Sequence, residues 1–163
     1  MSKYTIGVAV LGCGDRGKKH AADWAGRADS VLRAVFDPVA DTRQALAATH
    51  DASACAAVSE AVERDDVDVV SVCSPAAFHA SQIRAALEAG KHVLCEKPLA
   101  MTTAEADPLL ALAEERGLIL TVCFQHRHGW AWSRLARAAV ADGRLEGPLF
   151  ARVAAVAEVR FKR

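Results

Sequence analysis

An apolar run broken off by closely spaced glycines limits most strongly what this chain can fold into. Tyr4-Thr5-Ile6-Gly7-Val8-Ala9-Val10-Leu11 reads as a buried strand. Gly12-Cys13-Gly14-Asp15-Arg16-Gly17 follows with G-x-G-x-x-G spacing at the start of a helical pattern. Gly12 permits the tight turn, Gly14 removes a Cβ that would keep a diphosphate off the backbone, and Gly17 lets the helix lie close on its strand. The helix that opens here presents unpaired N–H groups and the positive end of its dipole. Asp15 and Arg16, between the last two glycines, belong to the same cofactor-facing turn.

Glycine turns are common, so the setting carries the argument. The next apolar run, Val31-Leu32-Arg33-Ala34-Val35-Phe36, ends in an acid, Asp37, twenty residues beyond Gly17. A carboxylate there accepts both hydroxyls of an adenosine ribose, so strand, turn, helix, strand and acid together predict a dinucleotide site. Asp37 also discriminates between nucleotides. A 2′-phosphate about 4 Å away meets repulsion of order 1–4 kcal/mol, roughly fivefold to a thousandfold in affinity, which favours NAD over NADP. Arg43 is placed to stack on adenine or, less readily, to grip a 2′-phosphate.

With 163 residues, 52% of them hydrophobic and 25% charged, the chain has enough material for one domain with a real core. Lys+Arg and Asp+Glu both number 20, and no basic run occurs, which argues against a nucleic-acid partner. Cys13, Cys55, Cys73, Cys95 and Cys123 show no C-x-x-C spacing, and most fall in or beside strand-like runs. They read as buried, reduced thiols of a cytoplasmic protein. No apolar run is long enough for a signal peptide or a membrane span.

Taken in order, the pattern predicts a helix from about Arg16 to Ala25 and, after Asp37-Pro38, another from Val39 to Thr49 with Ala45, Leu46 and Ala48 inward. A short strand follows over Ala54–Ala57, then a helix over Ser59–Arg64 opened by a Ser cap. Val67–Cys73 is a Val-rich interior strand broken by Ser74-Pro75. Phe78–Ala89 is helical with Ile83, Ala86 and Leu87 inward, and stops at Gly90. His92–Cys95 is a strand, and Thr102 with Glu105 makes a capping box for a helix ending near Arg116. Leu118–Phe124 is the sixth strand. Strands alternating with helices mean an α/β fold with a doubly wound parallel sheet, the Rossmann arrangement. Residues 1–128 form that domain, 129–148 read as a connecting helix and turn, and 149–163 as a solitary amphipathic strand.

Several of these segments resemble the glucose–fructose oxidoreductase/inositol dehydrogenase (Gfo/Idh/MocA) family. The resemblance rests on the glycine turn, Asp37, and Ser74-Pro75 followed by His79. Ala89-Gly90-Lys91-His92-Val93-Leu94-Cys95-Glu96-Lys97-Pro98-Leu99-Ala100 is similar to the family's AGKHV…EKPLA signature, and Phe124-Gln125-x-Arg127 to the motif closing its nucleotide domain. It covers residues 4 to about 160. It implies an oxidoreductase that passes hydride between NAD and a sugar or polyol carbinol. Lys97 would sit beside the nicotinamide and act on the substrate hydroxyl, polarising an alkoxide or serving as base. Glu96 would hold the nicotinamide ribose, and Pro98 would stiffen the turn. Ser74, Pro75 and His79 would line the groove, with Gln125 and Arg127 near nicotinamide or substrate. Family enzymes continue into a second α/β domain that completes the substrate pocket and supplies a catalytic histidine. Strand 149–161 would be its first element, its free edge pairing with another copy.

Other readings compete. His79 at a helix start is better read as a capping or packing group than as a ligand. His126 and His128 share one face of an extended segment, but no third ligand is in view, so no metal site is expected. Trp130 and Trp132 read as packing, and Cys13 as a small filler. A nucleotide-binding module without turnover, or an NAD-dependent glycosidase of the same fold, would use the same cleft.

Overall fold

The computed structural model describes residues 5–124, 138 and 141–143. The elements run β1 (Ile6–Leu11), α1 (Asp15–Ala25), β2 (Ser30–Phe36), α2 (Ala40–His50), β3 (Ser53–Cys55), α3 (Val58–Val62), β4 (Val69–Val72), α4 (His79–Glu88), β5 (His92–Glu96), α5 (Thr103–Glu115) and β6 (Leu120–Cys123). The strands form one six-stranded sheet in the order β3-β2-β1-β4-β5-β6, and every pairing is parallel. This is the doubly wound Rossmann order, with its switch point between β1 and β4. Phe124 closes the first compact unit of the chain.

Parallel strands need both faces covered, and β1 shows how its residues divide between them. Ala9 and Leu11 point into one cluster with Val70, Val72, Ile83, Leu87 and Leu109. Val10 belongs to the other, with Ala21, Leu32, Val35 and Leu46. Alternate residues of one strand thus feed the two halves of the core. Near the amino-terminal ends of the strands a network of polar contacts ties the loops together. The Gly7 amide donates to Asp68 Oδ2 at 2.7 Å, and Lys91 Nζ to the Arg64 carbonyl at 2.8 Å. Arg64 holds Asp66 through two bonds of 2.8 and 2.9 Å.

Several expectations are corrected. In α2 the buried residues are Leu46 and Ala47, while Ala45 and Ala48 are exposed. Alanines at 45, 47 and 48 are equally apolar, so hydropathy could not set the helical phase. Helix α3 opens at Val58 with no side-chain cap from serine; Glu60 instead accepts from the Ala56 amide at 2.7 Å. A 3-10 turn at Ala76–Phe78 precedes α4 and moves its start to His79. Thr102 does cap α5, accepting from the Glu105 amide at 3.2 Å, but Glu105 reaches back to the Met101 amide. Of the expected connecting helix, Ala138 and Ala141 are described and helical, with Asp142 N donating to Ala138 O at 2.8 Å. Gln125, His126, Arg127, His128, Trp130, Trp132 and strand 149–161 lie outside the described residues.

Candidate nucleotide-binding site

The turn after β1 is built as its glycines require. Gly12 has φ 94°, in the left-handed region, and a Cβ there would stand 2.6 Å from the Ser74 amide nitrogen. A Cβ on Gly17 would run into the backbone carbonyl of Gly12 and lie 3.5 Å from Val10 Cγ1, so α1 depends on that glycine to approach β1. Gly14 differs from both. It is exposed, a Cβ there would meet nothing within 4 Å, and as N-cap it gives α1 no side-chain bond. Among the described residues nothing fills the space of its missing side chain, which leaves open the amides at the start of α1. Asp15 and Arg16 follow as exposed residues on the first turn.

Asp37 stands beside this turn. Its Oδ2 accepts from the Cys13 amide at 2.8 Å, and its Oδ1 from the Val39 amide at 2.9 Å. The carboxylate is thereby fixed at the end of β2, with further lone pairs on each oxygen for other donors. Arg43 Nη1 donates to the Asp37 and Pro38 carbonyls at 3.2 and 3.4 Å, so its guanidinium braces the same loop. Cys13 is fully buried beneath the turn, and burial, with Asp37 adding to it, pushes its thiol up to about 12. A buried, protonated thiol of this kind suits a filler better than a nucleophile. Gly12, Asp37, Pro38, Ser74, Phe78 and Gln82 surround a cavity of about 470 Å³ at the carboxyl ends of β1, β2 and β4. A size and position of this kind suit a cofactor cleft.

The ends of β4 and β5 supply the remaining residues. Ser74 Oγ donates to Gln82 Oε1 at 2.7 Å, a partner in α4 that periodicity did not single out. His79 is buried, with one ring nitrogen 2.8 Å from the Ser74 carbonyl oxygen and the other 2.7 Å from that of Pro98. The Lys97–Pro98 bond is cis. Lys97 is exposed, and among the described residues its ammonium has no partner. Glu96 points inward. Its Oε1 lies 3.3 Å from His20 Nε2, its Oε2 accepts from the Lys97 amide at 3.2 Å, and His20 Nδ1 lies 2.7 Å from Ser71 Oγ.

His20 was missed in the sequence, although it follows Gly17 by three positions and so lies on the strand-facing side of α1. His20, Glu96 and Cys123 bring their ligand-type atoms within 4.8 Å of one another. His20 meets both Glu96 and Ser71, so these three form one hydrogen-bonded set. Burial pushes the thiols of Cys73 and Cys95 up to about 12.

Known proteins resemble the chain in sequence and in fold. A profile described as "Oxidoreductase family, NAD-binding Rossmann fold" (GFO_IDH_MocA) matches residues 6–124. The D-glucoside 3-dehydrogenase of Escherichia coli (strain K12) is 40% identical over 129 residues, which is 78% of this chain and 37% of that enzyme. Among solved structures, GenD2 from gentamicin A biosynthesis, in complex with NAD, matches with a TM-score of 0.81 and 32% identity, over 86% of this chain and 40% of that one. A 3-ketoreductase from Actinomadura kijaniata, in complex with NADP and TDP-benzene, matches with a TM-score of 0.77 and 34% identity, over 85% and 43%. The chain thus spans about two fifths of the length of these relatives. In the described residues no helix is long and apolar enough to cross a membrane. With a glycine turn, a fixed carboxylate and a Glu-Lys-Pro turn on one rim of a Rossmann sheet, and a profile match over most of its length, the chain belongs to the Gfo/Idh/MocA oxidoreductase family.

Proposed function

We propose that this chain binds NAD through the turn at residues 12–17 and Asp37, as the nucleotide-binding part of a sugar or polyol oxidoreductase. The observation that carries the reading is the pairing of an open Gly14 with an Asp37 carboxylate that lines the cavity and is pinned to the amide of the adjacent Cys13. The residues present fit the cofactor. Amides at the start of α1 suit the diphosphate, Asp37 suits the adenosine ribose, and the apolar walls of Pro38 and Phe78 suit the base.

Bound NAD supplies the hydride acceptor of such a reaction. Lys97, exposed and without a partner among the described residues, would hydrogen-bond a substrate hydroxyl and steady negative charge on its oxygen. Ser74 and Pro75 line the same cavity as Gly12 and Asp37. Gln125 and Arg127 belong to the same reading through the family motif. Relatives named as a D-glucoside 3-dehydrogenase and as a dTDP-3,4-didehydro-2,6-dideoxy-alpha-D-glucose 3-reductase support a carbohydrate as the substrate.

NADH fluorescence titration of the purified chain tests the cofactor half. Saturable binding is expected with NADH, and weaker binding with NADPH. A panel of sugars and inositols with NAD then tests turnover, which should vanish in Lys97→Ala. Binding without turnover across the panel would assign the nucleotide site and withdraw the catalytic role of Lys97.

A further inference from the structure

One face of the sheet gathers three metal-ligating side chains from three different elements. His20 comes from α1, Glu96 from the end of β5 and Cys123 from the end of β6. Glu96 and Cys123 are register partners, so both leave the sheet on the face that meets His20. His20 and Glu96 are buried and Cys123 is half-buried, and their ligand atoms all lie within 4.8 Å of one another.

Spacing separates this group from a plain ion pair. A charge-assisted N–H···O bond closes to about 2.7–2.9 Å. Nε2 of His20 stands 3.3 Å from Oε1 of Glu96. Two ligands about 2.0–2.2 Å from one ion, at the tetrahedral angle, are about 3.3–3.6 Å apart. The pair therefore has the separation of two corners of a zinc tetrahedron. A third corner asks for sulfur about 3.6 Å from each, a closing movement of about 1 Å at most from the present spacing.

The surrounding contacts leave the right atoms for an ion. Nδ1 of His20 lies 2.7 Å from Ser71 Oγ, a hydroxyl that accepts as readily as it donates. Ser71 can hold the Nδ1 proton and leave the Nε2 lone pair outward, as outer partners of ligating imidazoles do. Glu96 Oε2 accepts from the Lys97 amide at 3.2 Å, which leaves Oε1 for the cation. The Cys123 thiol has no hydrogen-bond partner among the described residues. Without an ion, burial and the charge of Glu96 keep it protonated. On binding, its proton passes to solvent and the thiolate takes the cation. A cavity of about 500 Å³ borders the group, lined by His20, Asp23, Trp24, Leu94 and Cys123. It gives an ion a way in and a water its place as fourth ligand.

The geometry points to a zinc-class cation site formed by His20, Glu96 and Cys123, tying α1 to the ends of β5 and β6. One imidazole, one carboxylate and one thiolate suit Zn²⁺, whereas Mg²⁺ and Ca²⁺ take oxygen ligands. The site needs no cofactor, so it stands or falls separately from the function proposed above.

Cobalt tests it, because a cobalt–thiolate bond absorbs in the near ultraviolet and tetrahedral cobalt in the visible. The tag-free 163-residue chain, reduced and stripped with chelator, should take up one Co²⁺ and show both bands. Zn²⁺ should bleach them at one equivalent, and excess Mg²⁺ should not. Cys123→Ala should lose the near-ultraviolet band and weaken Zn²⁺ binding by more than about a hundredfold, since an outer partner alone is worth about 10–100-fold. Cys55→Ala, on the edge strand β3, should keep both bands. No thiolate band in the parent, a band that survives Cys123→Ala, or its loss in Cys55→Ala overturns the site. Should Cys123→Ala not fold, alkylation of the parent decides, with the modified cysteines mapped by mass spectrometry. Zn²⁺ should slow modification of Cys123; equal rates with and without Zn²⁺ overturn the site.

Discussion

Gly14→Val and Gly17→Ala alter one turn and should separate its two duties. A Cβ on Gly17 would overlap the Gly12 carbonyl, with the carbonyl carbon 2.8 Å away, and both atoms are backbone. Helix α1 must therefore back away from β1. Overpacking of this kind costs about 3 kcal/mol, less roughly 1 kcal/mol regained from alanine's helix propensity. At about 2–4 °C per kcal/mol for a chain of this size, the melting temperature should fall by roughly 4–8 °C. Gly14 has φ −70° and open space where a Cβ would go. Valine there forfeits only the N-cap preference, about 1 kcal/mol and hence roughly 2–4 °C. Its methyl groups would, however, cover the amides proposed for the diphosphate. Losing two hydrogen bonds to a charged group, at about 1.5–3 kcal/mol each, weakens NADH by more than roughly a hundredfold. Thermal melts followed by circular dichroism, paired with NADH fluorescence titration, read both quantities on the same samples. Parent-like NADH affinity in Gly14→Val, or a parent-like melt for Gly17→Ala, would refute the division of labour.

Three further outcomes follow from the same geometry. Asp37→Asn removes the charge that repels a 2′-phosphate, and should raise NADPH affinity relative to NADH by at least about fivefold in parallel titrations. His20→Ala leaves the Glu96 carboxylate buried without its partner and should cost about 3 kcal/mol in urea unfolding; the double variant with Glu96→Ala should cost less than the sum of the two singles. The thiols of Cys13, Cys73 and Cys95 stand at about 12 against an ordinary 9.0, so above pH 9 the unfolded chain ionises first. Their contribution to stability is complete below that pH and is lost as pH rises toward 12. Urea midpoints measured from pH 8 to 10.5 should fall steadily, and less steeply after Cys73→Ser.

The parts of the fold that were legible in the chain are those governed by local backbone geometry. Gly12 and Gly17 mark a turn and a close approach whose demands lie within a few residues, and Val-rich runs identify interior strands without knowledge of their neighbours. The phase of α2 was not legible, since three alanines of equal hydropathy surround Leu46. The set formed by His20, Ser71 and Glu96 was beyond reach for another reason. It exists only once β4 lies beside β5 and α1 crosses them, and no spacing in the sequence encodes that meeting. His79 was singled out and weighed as a packing group. Its reach to Pro98 depends on the same sheet order.

The polar lattice of Gly7, Arg64, Asp66, Asp68 and Lys91 occupies one margin of the sheet, and the cleft occupies the other. Durability and the proposed chemistry are thus vested in opposite tips of the same strands, several residues apart. Changes to the loops around Pro38 or Phe78 can redirect what the molecule recognises without loosening that lattice. A lineage built this way can exchange ligands over generations while inheriting its rigidity unchanged.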